Sequence, residues 1–313
     1  MPSALTAGSG WTPTAAGRWS RPSAVWRPWP ASGWSTPSSP APRSRSWPTP
    51  LRDEIPCNAT VPAVAPDAVP GVIARFDGCE TAKVKVAERG QSLDDDLARV
   101  AEVRRVMGPD ARVRVDANGG WSVDDALRAL DALSRHGLEY AEQPCATVEE
   151  LAALRIALAR NGIDVPVAAD ESIRKAEDPL LVARLEAADM VVVKVAPLGG
   201  VRAALGVVEA CGLPAVVSSA LDTSVGIRAG VALAAALPSL EHACGLGTVA
   251  LLDGDVAAAP LVPRGGALGI RPVEVSRNRL EALAAPPDRV RWWRERVAAC
   301  HAELASSSGS IGA

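Results

Sequence analysis

Five apolar runs of this sequence carry charge where a buried strand should carry none: Lys83 and Lys85 in TAKVKV, Asp116 in RVRVDAN, Glu142 in YAEQP, Asp170 in VAADES and Lys194 in MVVVKVAP. Burying an ionised group is costly unless it is paired or holds a metal. Asp116, Glu142 and Asp170 are 26 and 28 residues apart, one repeat of the chain each, so the three carboxylates are expected to face one mouth. Three hard oxygen ligands with room for water and a substrate carboxylate describe a Mg2+ site, with Mn2+ as a substitute. Lys85 and Lys194 would flank the metal; a lysine beside a cation, or in a partly desolvated pocket, gives up its proton more readily and serves as a base near neutral pH. That equipment removes a proton α to a carboxylate while a metal stabilises the enediolate.

Each residue alone has a plainer explanation. A strand-end Asp is often a helix cap or an ion-pair partner, and Lys85 alone could be a surface lysine. The set argues otherwise. Of the 33 lysines and arginines only four are lysine, and three of these, Lys83, Lys85 and Lys194, belong to it. Arginine cannot deprotonate in this setting, and lysine can. Ser218 and Ser219 in VVSSAL are candidates to hydrogen-bond substrate, although paired serines at a strand end also serve as structural caps.

The elements that would position these residues recur along the chain. β-rich runs are predicted at 58–63, 81–87, 112–118, 140–144, 165–172, 190–197, 215–221 and 242–245, with centres 24 to 31 residues apart. Helical spacing fills the intervals at 93–107, 123–135, 148–161, 178–185, 200–211 and 224–237. Ser92, Ser122 and Thr147 precede acidic first turns as N-caps. Gly108, Gly137, Gly162 and Gly212 close helices. Strand, loop and helix repeated eight times predict an α/β fold, a TIM-like parallel barrel whose site lies at the C-terminal ends of the strands. An open doubly wound sheet is the alternative; no G-x-G-x-x-G follows the first strand.

Composition narrows the setting. The 313 residues are 48% hydrophobic with a net charge of −3, which provides no field to recruit nucleic acid or an anionic membrane. No uncharged apolar run reaches the roughly 18 to 20 residues of a membrane helix, and six cysteines without a C-x-x-C pair suit a reducing compartment. A cytoplasmic enzyme acting on a small-molecule carboxylate, more readily a monomer than an oligomer, is expected.

Residues 1–52 break the pattern. They hold six arginines, ten prolines, six of the nine tryptophans and no acidic residue, with no sustained apolar period. The segment reads as a disordered tail or as an out-of-frame stretch. The catalytic barrel is assigned to 53–250, a C-terminal segment to 251–305 and a flexible tail to 306–313.

The ordered motifs KVKVAERGQS, RVRVDANGGW, EYAEQPC, VAADESIR, VVVKVAPLGG and VVSSALDTSVGI resemble the enolase superfamily, in its muconate-lactonizing-like branch with K-x-K on the second barrel strand and a lysine on the sixth. The resemblance runs from about Asp53 to about Val275. It implies a (β/α)7β barrel preceded by an α+β capping domain, in whose place residues 1–52 match nothing. It also implies Mg2+-dependent dehydration of 2-succinyl-6-hydroxycyclohexa-2,4-diene-1-carboxylate to o-succinylbenzoate in menaquinone biosynthesis. Carried over by position, Lys85 takes the α-proton and then helps the hydroxyl leave, while Lys194 stabilises the enediolate from the other side. Asp116, Glu142 and Asp170 hold the metal. Lys83 lends its charge beside Lys85, Arg114 and Asn118 support the site from its edge, and Glu171 follows the third ligand. Gly199–Gly200 lets backbone approach closely. The rival readings are N-succinylamino acid racemase or dipeptide epimerase, and an inactive product of a damaged gene. With the cap missing or scrambled, low activity and poor solubility are expected of this chain.

Overall fold

The structure, a computed structural model, describes residues 47–174 and 178–309. Most of the low-complexity segment, Lys175 and the extreme C-terminus lie outside the described residues. The described residues fall in two compact units, one running from residue 47 to 286 and one that includes residues 287–309.

Seven parallel strands form the larger unit in chain order: β2 (Ala59–Val61), β3 (Thr81–Lys85), β4 (Arg112–Asp116), β5 (Leu138–Glu142), β6 (Val167–Ala169), β7 (Met190–Val193) and β8 (Ala215–Val217). An eighth position closes the ring. Residues 242–245 are too short and irregular to count as a strand, yet Cys244 pairs with Cys57 and Gly245 with Ser218, both in parallel. The Asn58 amide donates to the Cys244 carbonyl at 3.0 Å and the Gly245 amide to that of Val217 at 2.9 Å. The expected (β/α)7β barrel is therefore present, with the predicted run at 242–245 as its seam. Outside the barrel, β1 (Glu54–Pro56) pairs antiparallel with β9 (Ala267–Gly269), a ribbon that periodicity did not predict.

Helices follow the strands: α1 (Val69–Ile73), α2 (Leu93–Met107), α3 (Val123–Ser134), α4 (Val148–Arg160), the short α5 (Glu171–Arg174) and α6 (Leu181–Arg184), α7 (Val201–Cys211) and α8 (Ser224–Ala236). The predicted caps form. The side chains of Ser92 and Thr147 each complete a reciprocal capping box with Asp95 and Glu150, and Ser122 accepts from the Asp125 amide. Gly212 ends α7 in the left-handed conformation that only glycine adopts freely. The helix expected over 178–185 shrinks to α6, and the run expected at 165–172 yields a three-residue strand, because Ser172 already turns into α5. Beyond the barrel lie α9 (Arg277–Ala282) and α10 (Pro287–Gly309). The latter belongs to the second unit, where the Arg289 guanidinium sits 4.5 Å from the ring centre of Trp292. No described helix is long and apolar enough to cross a membrane. Trp47 stacks under Arg228, and the Leu51 amide bonds to Ala235 of α8, so the barrel unit begins within the segment read as low-complexity.

The apolar core is a shell between strands and helices. Val84, Val113 and Val115 face Val100, Leu130 and Leu133, all fully buried. Alternation then turns Lys83, Arg114 and Glu142 into the barrel, above a small apolar cluster of Tyr140, Ala168, Met190, Val192 and Val216. Arg114 pins this interior. Its guanidinium donates to the Tyr140 hydroxyl at 2.7 Å, to Glu139 and to the Ala243 carbonyl at 2.9 Å, so it ties β4 and β5 to the seam. Arg114 is thus buried inside the barrel, a correction to its expected place at the edge of the site.

Burial alone would raise the Glu139 carboxyl, but the hydrogen bond with His242 and the Arg114 charge outweigh it and hold the group at about 2, below its ordinary 4.5. An unfolded chain takes up this proton near pH 4.5 and the folded chain only near 2, so stability is lost as pH falls through that window. Urea unfolding at stepped pH is expected to show this loss, and Glu139→Gln should flatten it while lowering stability at pH 7; an unchanged slope in the variant counts against the assignment.

Candidate active site

Backbone conformation marks the mouth. Of the five non-glycine residues with positive φ among those described, Ala87, Asn118, Gln143 and Leu221 stand one to four residues beyond the ends of β3, β4, β5 and β8. Such conformations are costly and persist where the surrounding structure enforces them.

Strand register sets the row of functional groups. Lys85 lies opposite Asp116, and Asp116 opposite Glu142, across β3, β4 and β5. Asp170, Lys194 and Ser218 are each the first residue beyond β6, β7 and β8. The five residues expected to do chemistry are therefore together. Asp116, Glu142 and Asp170 are buried, as is Lys194, while the Lys85 side chain keeps 30% exposure.

Every carboxylate has an ammonium against it. Lys83 Nζ stands 2.8 Å from Glu142 Oε1 and 3.1 Å from Asp116 Oδ2. Lys85 Nζ donates at 2.6 Å both to Asp116 Oδ2 and to Asn118 Oδ1. Lys194 pairs with Asp170, whose other oxygen accepts from Arg174 at 3.0 Å. Burial would lower the proton affinity of Lys83, but Glu142, Asp116 and Tyr140 outweigh it and hold the group well above the usual lysine range. Burial would raise Asp116, yet Lys83 and Lys85 keep it ionised far below the usual carboxylate range. Glu142 moves the other way: burial and then the Asp116 charge push it up, against Lys83, with Asp170 adding to the repulsion.

That repulsion bears on metal fit. Three oxygen donors from adjacent strand ends are near enough to raise the charging cost of the middle one, which a divalent cation would relieve. Their hard-oxygen chemistry suits Mg2+. Among the described residues, no three acidic, His or Cys side chains are gathered into a ligating cluster, and ammonium groups lie on the carboxylate oxygens. The donor set fits the ion, with lysine as the competing counter-charge.

The remaining candidates divide. Asn118 contacts both Lys85 and Glu171, placing it on the site. Glu171 pairs with Arg174, and its second oxygen is buried without a partner. Ser218 is buried at the mouth, where a Cβ on Gly245 would come within 2.6 Å of its hydroxyl. Ser219 is spent internally on the Gly245 carbonyl and the Thr248 hydroxyl. Gly199 and Gly200, read as sites of close approach, have φ of +84° and +120° ahead of α7, and the space beside Gly200 is open. Two groups were given no role from the sequence. Gln143 is fully buried and accepts from the Asp170 and Ser172 amides, fixing the start of α5. Arg99 and Asp96 are buried on α2; a basic residue on the apolar side of an amphipathic helix was the available signal.

Residues 72–272 match the family described as Enolase C-terminal domain-like. An o-succinylbenzoate synthase of Mycolicibacterium smegmatis is 61% identical over 259 residues, covering 82% of this chain and 78% of that protein. One of Thermobifida fusca is 57% identical over 256 residues, with the same coverage. The solved muconate lactonizing enzyme from Pseudomonas putida superposes with a TM-score of 0.64 at 26% identity, over 75% of this chain and 68% of that one.

Removing one partner of a buried ion cluster strands the other charge. Lys83→Met is expected to lower the metal-free unfolding free energy by about 3 to 5 kcal/mol, measured by urea titration. A loss below about 1 kcal/mol, the scale of an exposed pair, would mean that Lys83 does not compensate the carboxylates.

Proposed function

The chain belongs to the enolase superfamily, with the o-succinylbenzoate synthases, and we propose that it dehydrates 2-succinyl-6-hydroxycyclohexa-2,4-diene-1-carboxylate to o-succinylbenzoate by lysine-mediated proton transfer at the barrel mouth. It is an enzyme of the carbon–oxygen lyase class, and the reaction is a step of menaquinone biosynthesis. The observation that carries this reading is the single row of Lys85, Asp116 and Glu142, continued by Asp170 and Lys194, at successive strand ends.

In this reading the neutral amine of Lys85 takes the α-proton, and the C–H electron pair moves into the carboxylate to form an enediolate. The electrons then return to form the ring double bond as the C–O bond breaks. The hydroxyl leaves as water with the proton that Lys85 carries, so the balance is substrate to o-succinylbenzoate plus water. One residue acting twice requires both groups on one face of the ring. Lys194 stays protonated against the enediolate, and Lys83 holds Glu142 and Asp116 from below. Asp116, Glu142 and Asp170 would hold Mg2+, or Mn2+ in its place, which when bound supplies positive charge for the enediolate oxygens. Asn118 orients the Lys85 ammonium, and Ser218 lines the substrate side. Asp116 is the carboxylate that Lys85 contacts, so with Mg2+ held there the Lys85 amine would be free to take the proton.

Two lysines held by different carboxylates could also exchange a proton from two sides, as racemisation of an N-succinylamino acid or epimerisation of a dipeptide requires. Lys194→Arg separates the readings: it retains the cation but not the base. It should preserve part of the dehydration and abolish racemisation.

Turnover of the cyclohexadiene carboxylate, followed by the rise in aromatic absorbance, is expected with Mg2+ and lost on chelation. It should be weak in this chain and stronger when a capping domain precedes residue 53. Lys85→Ala should lower kcat by about 10²- to 10⁴-fold, the usual contribution of a general base. Racemisation that outpaces dehydration in both versions would overturn the assignment. Mg2+ at about a hundred times its Kd should add about 2.7 kcal/mol to stability, and Asp170→Asn should remove most of that gain.

A further inference from the structure

The geometry points to Arg99, with Asp96, as the residue that positions Lys85: a buried clasp on α2 that fixes the peptide at the end of β3 and so aims the base. This inference rests on the reading of Lys85 as the proton acceptor.

Arg99 is 1% exposed and Asp96 2%, although both lie on a helix whose other charged residues are mostly solvated. Their partners explain the burial. Arg99 Nη1 donates to the backbone carbonyl of Lys85 at 2.9 Å and to Asp96 Oδ1 at 2.9 Å. Its Nε donates to the Val64 carbonyl at 2.6 Å, and Nη2 reaches Gln91 Oε1. Gln91 in turn donates to the Ala63 carbonyl at 2.9 Å. Asp96 Oδ2 accepts from the amide of Ala87, the residue at φ +58°. One planar guanidinium thus joins the segments that leave β2 and β3, and its carboxylate partner holds the left-handed turn two residues past the base.

Lys85 depends on this more than its neighbours do. Its side chain is the most exposed of the five, and its ammonium bonds Asp116 and Asn118 rather than a closed pocket. The direction of its Cα–Cβ bond, set by the peptide that Arg99 and Asp96 hold, therefore decides where the amine stands. A displacement of about 1 Å can cost about 10²-fold in rate. Lysine at position 99 would keep the charge for Asp96 but lacks the fork that reaches Lys85, Val64 and Gln91 together.

The test uses the full-length chain and the Arg99→Lys and Gln91→Ala variants, with Arg105→Ala as a control on the same helix. Arg99→Lys is expected to lower kcat by about 10- to 100-fold with KM within about twofold. The isotope effect on kcat with α-deuterated substrate should rise as proton removal becomes slower. Gln91→Ala, on the exposed end of the clasp, should show the same signature more weakly, and it decides the matter if Arg99→Lys does not fold. A fall in kcat that only tracks the folded fraction, with the isotope effect unchanged, would make Arg99 a structural residue and overturn the inference. So would wild-type kinetics in the folded variants. If the parent chain does not turn over the diene carboxylate, the functional reading fails by itself. The clasp is then judged by amide hydrogen exchange over residues 83–92, expected to quicken by about tenfold in Arg99→Lys; unchanged exchange would refute it.

Discussion

Three carboxylates from neighbouring strands share a space from which water is largely excluded, and they can remain charged there only while cations stand against them. The rest of the mouth follows from this constraint. Lys83 is buried because it must lie between Glu142 and Asp116, and Lys194 because it must answer Asp170. A divalent ion would satisfy the same oxygens more fully, so the lysines are set against a competitor for their own partners.

The barrel interior serves that arrangement. A packed α/β barrel commonly fills its centre with branched apolar side chains. Here Arg114, Lys83 and Tyr140 occupy part of it, and the purely apolar cluster is small. Arg114 touches Tyr140, Glu139 and the seam, so the floor is held by directed bonds that fix orientation more tightly than shape alone. The larger part of the buried apolar surface lies instead in the outer shell, rich in valine and leucine.

Much of this was legible because the signals are local. Period-2 runs, helix caps three residues from their acidic partners, and lone charges at strand ends each depend on a few neighbouring residues, and Ser92, Thr147, Lys85 and Asp116 stand where those signals put them. What escaped depends on distant partners. Nothing near Arg99 announces that its acceptors are main-chain carbonyls at 64 and 85, and nothing near Glu54 announces a partner at Gly269. Arg114 was carried to the edge by resemblance, which said nothing of the two-residue step from Asp116 into the barrel. The glycines at 199 and 200 were read for space, and Gly200 has it, but their positive φ was not read from the sequence.

The seam between Cys57 and Cys244 joins the two ends of the barrel sequence through a few hydrogen bonds. Forming it requires a loop closure spanning nearly the whole unit, the kind of long-range contact that is made late and slows folding. Asn58 and Ser218 stand on opposite sides of this join, and Lys83 one strand away. A nascent or partly opened barrel can therefore hold the row from Lys85 to Lys194 on β3 to β7 while the bond from Arg114 to the Ala243 carbonyl, which ties the floor beneath that row to the seam, is still unmade.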